Sequence, residues 1–154
     1  MSTHIGRQAV VIGAGMAGLT AARALADYFD HVTILENDTL PASAAPRAGT
    51  PQSKHAHTLL GGGQLALATL FPGFEQSLQE AGAIPTGVAS DYWLERPGYD
   101  PFPQRDLGMV QYSMTRPLIE SVVRTKVADT GNVELREGCR AQRLVTTGDR
   151  SDHY

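Results

Sequence analysis

The chain of 154 residues has a formal net charge of −3, and 42% of its residues are hydrophobic. This length and composition predict one globular domain with its own core. The negative charge and the lack of a basic run argue against a nucleic-acid-binding surface. No stretch approaches the roughly 20 apolar residues of a membrane span. The single cysteine, Cys139, cannot form an intramolecular disulfide, so we expect a reducing, cytoplasmic setting.

A glycine-rich turn between a strand and a helix is the strongest motif of the chain. Residues 9–12 form a continuous apolar run, which predicts a strand that is buried on both faces. Gly13, Gly15 and Gly18 follow with the spacing G-x-G-x-x-G, and an Ala- and Leu-rich helix starts there. This spacing permits a tight turn, a close approach of a pyrophosphate and tight packing of the helix on the strand. The helix N-terminus also offers free N–H groups and a positive dipole end to the phosphates.

An acidic residue at the end of the next strand fits the same motif. Residues 32–35 predict a second buried strand, and Glu36 follows it, 23 positions after Gly13. An acidic side chain at this place accepts hydrogen bonds from a ribose. Asp38 adds negative charge and this stretch has no Arg, so free ribose hydroxyls are favoured over the 2′-phosphate of NADP. Two other interpretations stay open, a signal peptide that starts at Arg7 and an ordinary tight turn.

A long loop follows the second strand. Residues 39–54 contain three prolines, which exclude a helix or a central strand. The planar guanidinium of Arg47 suits the phosphates of a nucleotide. A solvated arginine on a mobile loop is the alternative. His55 and His57 have the spacing of two ligands on one face of a strand, but no acidic or thiol ligand accompanies them, so we expect no metal site.

Helical periodicity resumes over residues 58–71, where it is interrupted by three consecutive glycines, residues 61–63. Three glycines in a helix interior cost about 3 kcal/mol relative to alanine. The helix therefore either starts after residue 63, or a flavin or another helix lies against the bare backbone. Residues 74–81 predict a further short helix.

The aromatic-rich part of the chain lies between residues 84 and 112. Residues 88–94 and 109–112 predict two strands, separated by a loop with three prolines. The aromatic side chains fit the core of a small sheet, which we favour, or a layer that faces a substrate. They are Tyr92, Trp93, Tyr99, Phe102 and Tyr112.

A capped helix follows this region. Thr115 predicts the N-cap and Pro117 the first turn, and apolar residues then repeat at helical spacing until Gly131 ends the pattern. Arg116 is a cation at the positive end of the helix dipole, which favours a bound anion nearby over a plain surface position.

The last part of the chain predicts two strands and a turn that no returning strand follows. Residues 132–136 and 140–147 read as strands, and residues 148–150 read as a turn. A hairpin turn with no returning strand leaves an unpaired edge. We therefore expect a chain that stops in the middle of a fold.

Taken in order, these motifs resemble those of FAD-dependent monooxygenases of the aromatic-hydroxylase and squalene-epoxidase type, and most closely the polyketide epoxidase-like branch. The glycine motif and Glu36 are common to many nucleotide-binding proteins, whereas residues 47–57 together with residues 71–73 are more specific. Residues 115–118 and 133–141 also match. The resemblance implies an α/β fold with a Rossmann-type parallel sheet (the FAD/NAD(P)-binding fold) and an incomplete, truncated β-layer.

The resemblance also implies roles for individual residues. The glycine turn would hold the FAD pyrophosphate, and Glu36 would bind the adenosine ribose. Arg47 and Arg116 would contact the phosphate and ribitol region, and the backbone at Ala141 would meet the adenine. No residue is identified as a catalytic acid, base or nucleophile. The residues of the turn are Gly13, Ala14, Gly15, Met16, Ala17 and Gly18.

In such enzymes NAD(P)H reduces FAD, and the reduced cofactor uses oxygen to oxygenate an alkene or aromatic small molecule. The resemblance makes residues 1–154 the N-terminal portion of an FAD-binding domain. Its dinucleotide core would be residues 5–40 and 115–147, and its partial substrate-side β-layer residues 84–112. Two alternatives stay open. One is a non-catalytic FAD- or NAD-binding module that needs a second chain or a homo-oligomer to cover the open sheet edge, and the other is a truncated remnant.

Overall fold

The computed structural model describes residues 3–145, which form two three-stranded sheets and four α-helices. The expected α/β class with a Rossmann-type parallel sheet is confirmed. The elements are β1 (Gly6–Ile12), α1 (Met16–Ala26), β2 (Phe29–Leu35), a 3₁₀ turn (Pro51–Lys54), β3 (Ala56–Leu59), α2 (Gly61–Leu70), α3 (Phe74–Glu80), β4 (Ile84–Gly87), β5 (Val110–Thr115), α4 (Arg116–Ala128) and β6 (Val133–Arg136).

The first sheet is parallel and has the strand order β1-β2-β6. Val10 of β1 lies opposite Thr33 of β2, and Val32 of β2 lies opposite Val133 of β6. Parallel neighbours need a crossover connection, and α1 provides it between β1 and β2. Helices α1 and α4 pack together over one face of this sheet, where Val32 and Ile34 are fully buried. Complete burial of such a side chain contributes about 1.5–3 kcal/mol.

The expected burial of β1 on both faces is wrong within the described part of the chain. Val11 is 8% exposed, whereas Val10 and Ile12 are 61% and 73% exposed. Successive side chains of a strand point to opposite faces, and α1 and α4 cover only one face of the sheet. The apolar run therefore supplies one buried face and one open apolar face among residues 3–145.

The second sheet is antiparallel and has the strand order β3-β5-β4. His57 of β3 lies opposite Met114 of β5, and the alternate β5 side chains Tyr112 and Met114 are buried. The rings of Phe71 and Phe74, at the junction of α2 and α3, pack in the same core with their centroids 6.4 Å apart. Because β5 runs directly into α4, this sheet fixes the position at which α4 begins.

The start of α4 and the short helix α3 are confirmed. The Thr115 hydroxyl accepts a hydrogen bond from the N–H of Leu118 at 3.3 Å, and Pro117 lies in the first turn. Gly73, with a φ of 72°, precedes α3 in a left-handed conformation that glycine adopts without strain. Among the described helices, none is long and apolar enough to span a membrane.

The three consecutive glycines form the first turn of α2, so the expectation that this helix starts after residue 63 is wrong. The N–H groups of a first turn have no partner within the helix, so glycine weakens this turn less than it would weaken the interior. A Cβ added at Gly61 or Gly62 would meet no other atom within 4 Å. Within residues 3–145, no other helix therefore packs against this bare backbone.

The expectation of a strand over residues 88–94 is wrong, because a turn follows β4 there. The Asp91 carboxylate accepts a hydrogen bond from the Gly87 N–H at 2.7 Å, and the Asp91 N–H donates to the Gly87 carbonyl at 3.1 Å. The bonds from the Gly87 N–H and the Ser90 hydroxyl hold the pKa of Asp91 below its ordinary value. Ala89 has a φ of 68°, which is incompatible with a strand.

The favoured interpretation of the aromatic residues as a sheet core holds for Tyr112 only. Trp93, Tyr99 and Phe102 are 64%, 69% and 62% exposed on the loop between β4 and β5. No described element covers this loop, so its aromatic rings are not part of the core.

The strand expected at residues 140–147 is absent as far as residue 145. Gly138, with a φ of 65°, turns the chain after β6, and Leu144 is 92% exposed. A strand needs a neighbour to satisfy its backbone, and none is present beside residues 140–145. Residues 146 and 147 and the turn expected at 148–150 lie outside the described residues.

We expect Gly18→Ala to lower the free energy of unfolding by about 1–3 kcal/mol, the usual cost of overpacking. A Cβ at Gly18 would overlap the carbonyl oxygen of Gly13 and touch Val11. Urea unfolding measures the change. The matched control is Gly62→Ala, where an added Cβ meets open space and stability should not fall. Equal losses in the two variants would contradict the close approach of the α1 backbone to the turn.

Candidate nucleotide-binding site

The carboxyl ends of β1 and β2 and the start of α1 meet at one edge of the parallel sheet. Gly13 has a φ of 93°, and its N–H donates to the Leu35 carbonyl at 2.8 Å. Gly15 is the N-cap of α1, and its carbonyl accepts from the Leu19 N–H at 2.9 Å. No side chain caps α1, so the N–H groups of its first turn face outward as donors for an anion.

Glu36 lies directly behind this turn and is 6% exposed. Its Oε2 accepts a hydrogen bond from the Ala14 N–H at 2.6 Å, and its Oε1 accepts from the Asp38 N–H at 2.9 Å. Its backbone N–H donates to the Arg136 carbonyl at 2.9 Å, and its carbonyl accepts from the Cys139 N–H at 2.8 Å. Glu36 therefore connects the glycine turn with the ends of β2 and β6.

Arg47 reaches the same edge from the long loop after β2, and its side chain is 8% exposed. Its Nε donates to Oε1 of Glu120 at 2.8 Å, and its Nη1 donates to Oδ2 of Asp38 at 2.9 Å. The same Nη1 lies 3.3 Å from Oε2 of Glu36. The alternative of a solvated arginine is therefore wrong, because Arg47 is a buried cation among three carboxylates.

The remaining nitrogen of Arg47 faces the glycine turn. Nη2 lies 3.9 Å from the place that a Cβ on Gly15 would occupy. Burial alone would lower the pKa of Arg47, but the hydrogen bond and charge of Glu120, the hydrogen bond to Asp38 and the charge of Glu36 raise it above its ordinary value. The guanidinium of Arg47 therefore lies beside Gly15, a position of the turn that has no side chain.

Glu120 of α4 belongs to this cluster and was not predicted. It is 4% exposed and lies between the buried residues Ile119 and Val122. Its Oε2 is 3.7 Å from Nε of Arg116, and neither atom has a hydrogen-bond partner among the described residues. The sequence contains one signal that could have identified Glu120. It is a single carboxylate on an otherwise apolar helix face, and it stands four residues after Arg116.

Arg116 begins α4, and its side chain is 20% exposed. The anion beside it within the described residues is the carboxylate of Glu120. A cavity of about 230 Å³ lies between the start of α1, β3 and the start of α4, with Arg116 and Met16 in its wall. The other lining residues are His57, Thr58, Leu59, Leu67, Met114 and Ile119.

The structure brings the predicted turn, Glu36, Arg47 and Arg116 into one site, but not Ala141. Ala141 is exposed and lies outside the regular elements. It follows Cys139, whose N–H is bonded to Glu36, by only two residues. The segment that contains Ala141 therefore begins at the same edge of the parallel sheet as the other predicted residues.

Only one of the two spaced histidines lies within a strand. His57 lies in β3, whereas His55 precedes it, and Nδ1 of His57 is 2.8 Å from the His55 carbonyl. Within residues 3–145, no group of three His, Cys, Asp or Glu side chains is arranged to hold a metal ion.

We expect Arg47→Met to lower the free energy of unfolding by about 3–5 kcal/mol at neutral pH, because it removes the guanidinium that pairs with the buried carboxylates of Glu36 and Glu120. Urea unfolding at neutral pH measures this loss.

The control for this variant is Arg136→Met. Arg136 pairs with Glu134 at the surface, where both side chains are about half exposed, so its loss should change stability little. A loss in Arg47→Met no larger than that in Arg136→Met would contradict the buried ion cluster.

A family model described as an NAD(P)-binding Rossmann-like domain matches residues 11–71. This match contains β1, the glycine turn, Glu36 and Arg47. Over 141 residues the chain is 36% identical to Protein Rv3254 of Mycobacterium tuberculosis, with 90% of this chain and 29% of that protein covered.

Several solved structures share the fold. The tetrameric form of 2-methyl-3-hydroxypyridine-5-carboxylic acid oxygenase has a TM-score of 0.55 at 21% identity, with 86% of this chain and 32% of that chain covered. p-Nitrophenol 4-monooxygenase PnpA from Pseudomonas putida DLL-E4 has a TM-score of 0.56 at 15% identity, with 89% and 33% covered. The flavin-dependent monooxygenase PieE, solved with FAD and substrate, has a TM-score of 0.56 at 20% identity, with 89% and 24% covered.

The chain thus spans about a third or less of the length of these relatives. At these identities the solved structures establish the fold alone. Residues 11–71 match the model of an NAD(P)-binding Rossmann-like domain, and the chain has the fold of the matched parts of these oxygenases.

Proposed function

We propose that this chain is the nucleotide-binding part of a flavin-dependent monooxygenase and that it binds FAD at the edge of its parallel sheet. One observation carries the proposal: Nη2 of the buried Arg47 lies beside the side-chain-free face of Gly15. A guanidinium and a helix N-terminus on the two sides of such a turn form a site for a pyrophosphate.

The pyrophosphate would lie against the turn of residues 13–18. It would accept hydrogen bonds from the free N–H groups of the first turn of α1 and from Arg47. The left-handed φ of Gly13 and the missing Cβ of Gly15 give the phosphates access to the backbone. These residues therefore fit a dinucleotide.

Glu36 would bind the adenosine ribose. Each of its carboxylate oxygens already accepts one hydrogen bond from a backbone N–H, at Ala14 and Asp38. An ionised carboxylate has about four acceptor positions, so capacity remains for two ribose hydroxyls. The bonds to the protein would hold the carboxylate in place for them.

The rest of the cofactor would extend along two directions. Arg116 and the cavity beside it would take the ribitol side, and the backbone near Ala141 would meet the adenine. We propose that residues 5–40 and 115–147 form the dinucleotide core and that residues 84–112 form part of a substrate-side layer. Residues 1–154 would thus be the first portion of a longer FAD-binding unit.

When bound, FAD would supply the redox chemistry, with NAD(P)H as electron donor, oxygen as oxidant and a small organic molecule as substrate. The described residues of this chain would bind and orient the cofactor, and we assign none of them a proton-transfer role. A second chain or a further copy would complete the site, in a cytoplasmic setting.

A second candidate is a non-catalytic module that binds NAD. The family model that matches residues 11–71 describes an NAD(P)-binding domain, and the turn, Glu36 and Arg47 suit the ADP moiety common to NAD and FAD. Binding of NAD⁺ in preference to FAD would favour this candidate.

Titration of the purified chain with FAD, followed by flavin fluorescence, tests the proposal. The wild type should bind FAD, and Gly15→Val should abolish binding, because its side chain occupies the approach of the pyrophosphate. Gly131→Val is the matched control, since a Cβ there meets no atom within 4 Å. Loss of binding in both variants, or retained binding in Gly15→Val, would sink the assignment of the turn.

The ribose assignment predicts discrimination against a 2′-phosphate. Glu36 and Asp38 place two carboxylates at the end of β2 against the single guanidinium of Arg47, so NADP⁺ should bind at least about tenfold more weakly than NAD⁺. Isothermal titration with the two nucleotides measures the ratio. Glu36→Gln should reduce the discrimination, whereas Glu80→Gln, on the exposed end of α3, should leave it unchanged. Equal affinities in the wild type would contradict the assignment of Glu36.

A further inference from the structure

We infer that Glu120 is a positioning residue of the nucleotide site, which holds Arg47 in the orientation that presents Nη2 to the glycine turn. This inference rests on the proposed binding of a pyrophosphate-containing nucleotide. It assigns a role in that site to a residue of α4, an element that lies outside the strand–turn–helix unit.

Arg47 lies on a loop without regular structure, so its contacts decide its orientation. Nη1 is directed to Asp38 and Glu36 at the end of β2, and Nε is directed to Glu120. A guanidinium is planar, so fixing Nε and Nη1 also fixes the direction of Nη2. That direction is toward Gly15.

Of the three carboxylates that contact Arg47, Glu120 is the one that lies within a helix or strand. It lies in the second turn of the 13-residue helix α4, next to the packed side chains Ile119 and Val123, which are 7% and 0% exposed. Asp38 follows the end of β2, and Glu36 is also held by the turn itself. Glu120 therefore sets the position of Arg47 relative to the helix layer.

Without Glu120, the guanidinium would be attracted only toward β2. Glu36 and Asp38 are close enough to take both terminal nitrogens of Arg47, since Nη1 already contacts each of them. A bidentate pair of this kind is the geometry that arginine prefers with carboxylates. Nη2 would then turn away from Gly15 and from any phosphate there.

The incomplete bonding of Glu120 also argues for a role in the site. Its side chain is 6% exposed, yet Oε2 has no hydrogen-bond partner among the described residues, and neither has the facing Nε of Arg116. Burying a carboxylate costs several kcal/mol, and an incompletely bonded one is weak support for stability. Orientation of two arginines beside the proposed phosphates explains why a carboxylate stands there.

The test compares ADP, which has a pyrophosphate, with adenosine, which has no phosphate. Glu120→Gln should weaken ADP binding by about tenfold, as expected for losing a hydrogen bond to a charged group, and change adenosine binding by less than about twofold. Glu120→Asp should recover part of the ADP affinity. Glu80→Gln is the control, because Glu80 also accepts a hydrogen bond on its helix but is exposed.

A double variant separates positioning from structural support. If Glu120 acts through Arg47, adding Glu120→Gln to Arg47→Met should weaken ADP binding no further. Additive losses, or equal losses for ADP and adenosine, would overturn the inference. ¹⁵N NMR of the ligand-free chain gives an independent readout. The Nε–H signal of Arg47 is identified as the arginine signal that disappears in Arg47→Lys. This signal should shift in Glu120→Gln and not in Glu80→Gln.

Different results would overturn nucleotide binding and the positioning role of Glu120. A wild-type chain that binds neither FAD nor ADP would overturn the proposed function together with this inference. Normal ADP binding by Glu120→Gln, or an unshifted Arg47 signal in that variant, would overturn this inference alone and leave the proposed function standing.

Discussion

The burial of the Arg47 guanidinium is the constraint on which the carboxyl edge of the parallel sheet depends. A positive charge removed from water needs anionic partners, because a buried charge without any is strongly destabilising. Arg47 finds them in Glu36, Asp38 and Glu120, which belong to the end of β2, the loop and α4. These ion pairs fix a loop that has little regular structure to both layers of the fold.

Features that depend on near neighbours in the sequence were predictable. The turn around Gly13, the N-cap Thr115 and the acidic Glu36 each follow from local rules of backbone geometry, capping and strand length. The structure agrees with these three predictions because each depends only on residues that are close together in the sequence. Their mutual approach at one edge follows from the parallel sheet, in which strand ends gather on one side.

Features that depend on distant neighbours were missed. The role of Glu120 needs the loop arginine 73 positions away, and no spacing rule connects the two. The prediction that β1 is buried on both faces is wrong for Val10 and Ile12. An apolar run does not show whether a second layer of helices covers that face of the strand. The absence of a strand over residues 140–145 has the same cause, since β-propensity forms a strand only where a partner lies alongside.

The close approach of Gly18 to Gly13 has a further consequence. The helix and the turn touch through backbone atoms, with no room for a side chain between them, so the turn cannot open unless α1 leaves the sheet. The amides that would meet a phosphate are therefore ordered when the chain folds, before any ligand is present. Their conformational entropy is lost in folding and not in association. Under the proposed function the turn would thus be preorganised, and a nucleotide that bound there would lose no affinity to a loop-ordering step.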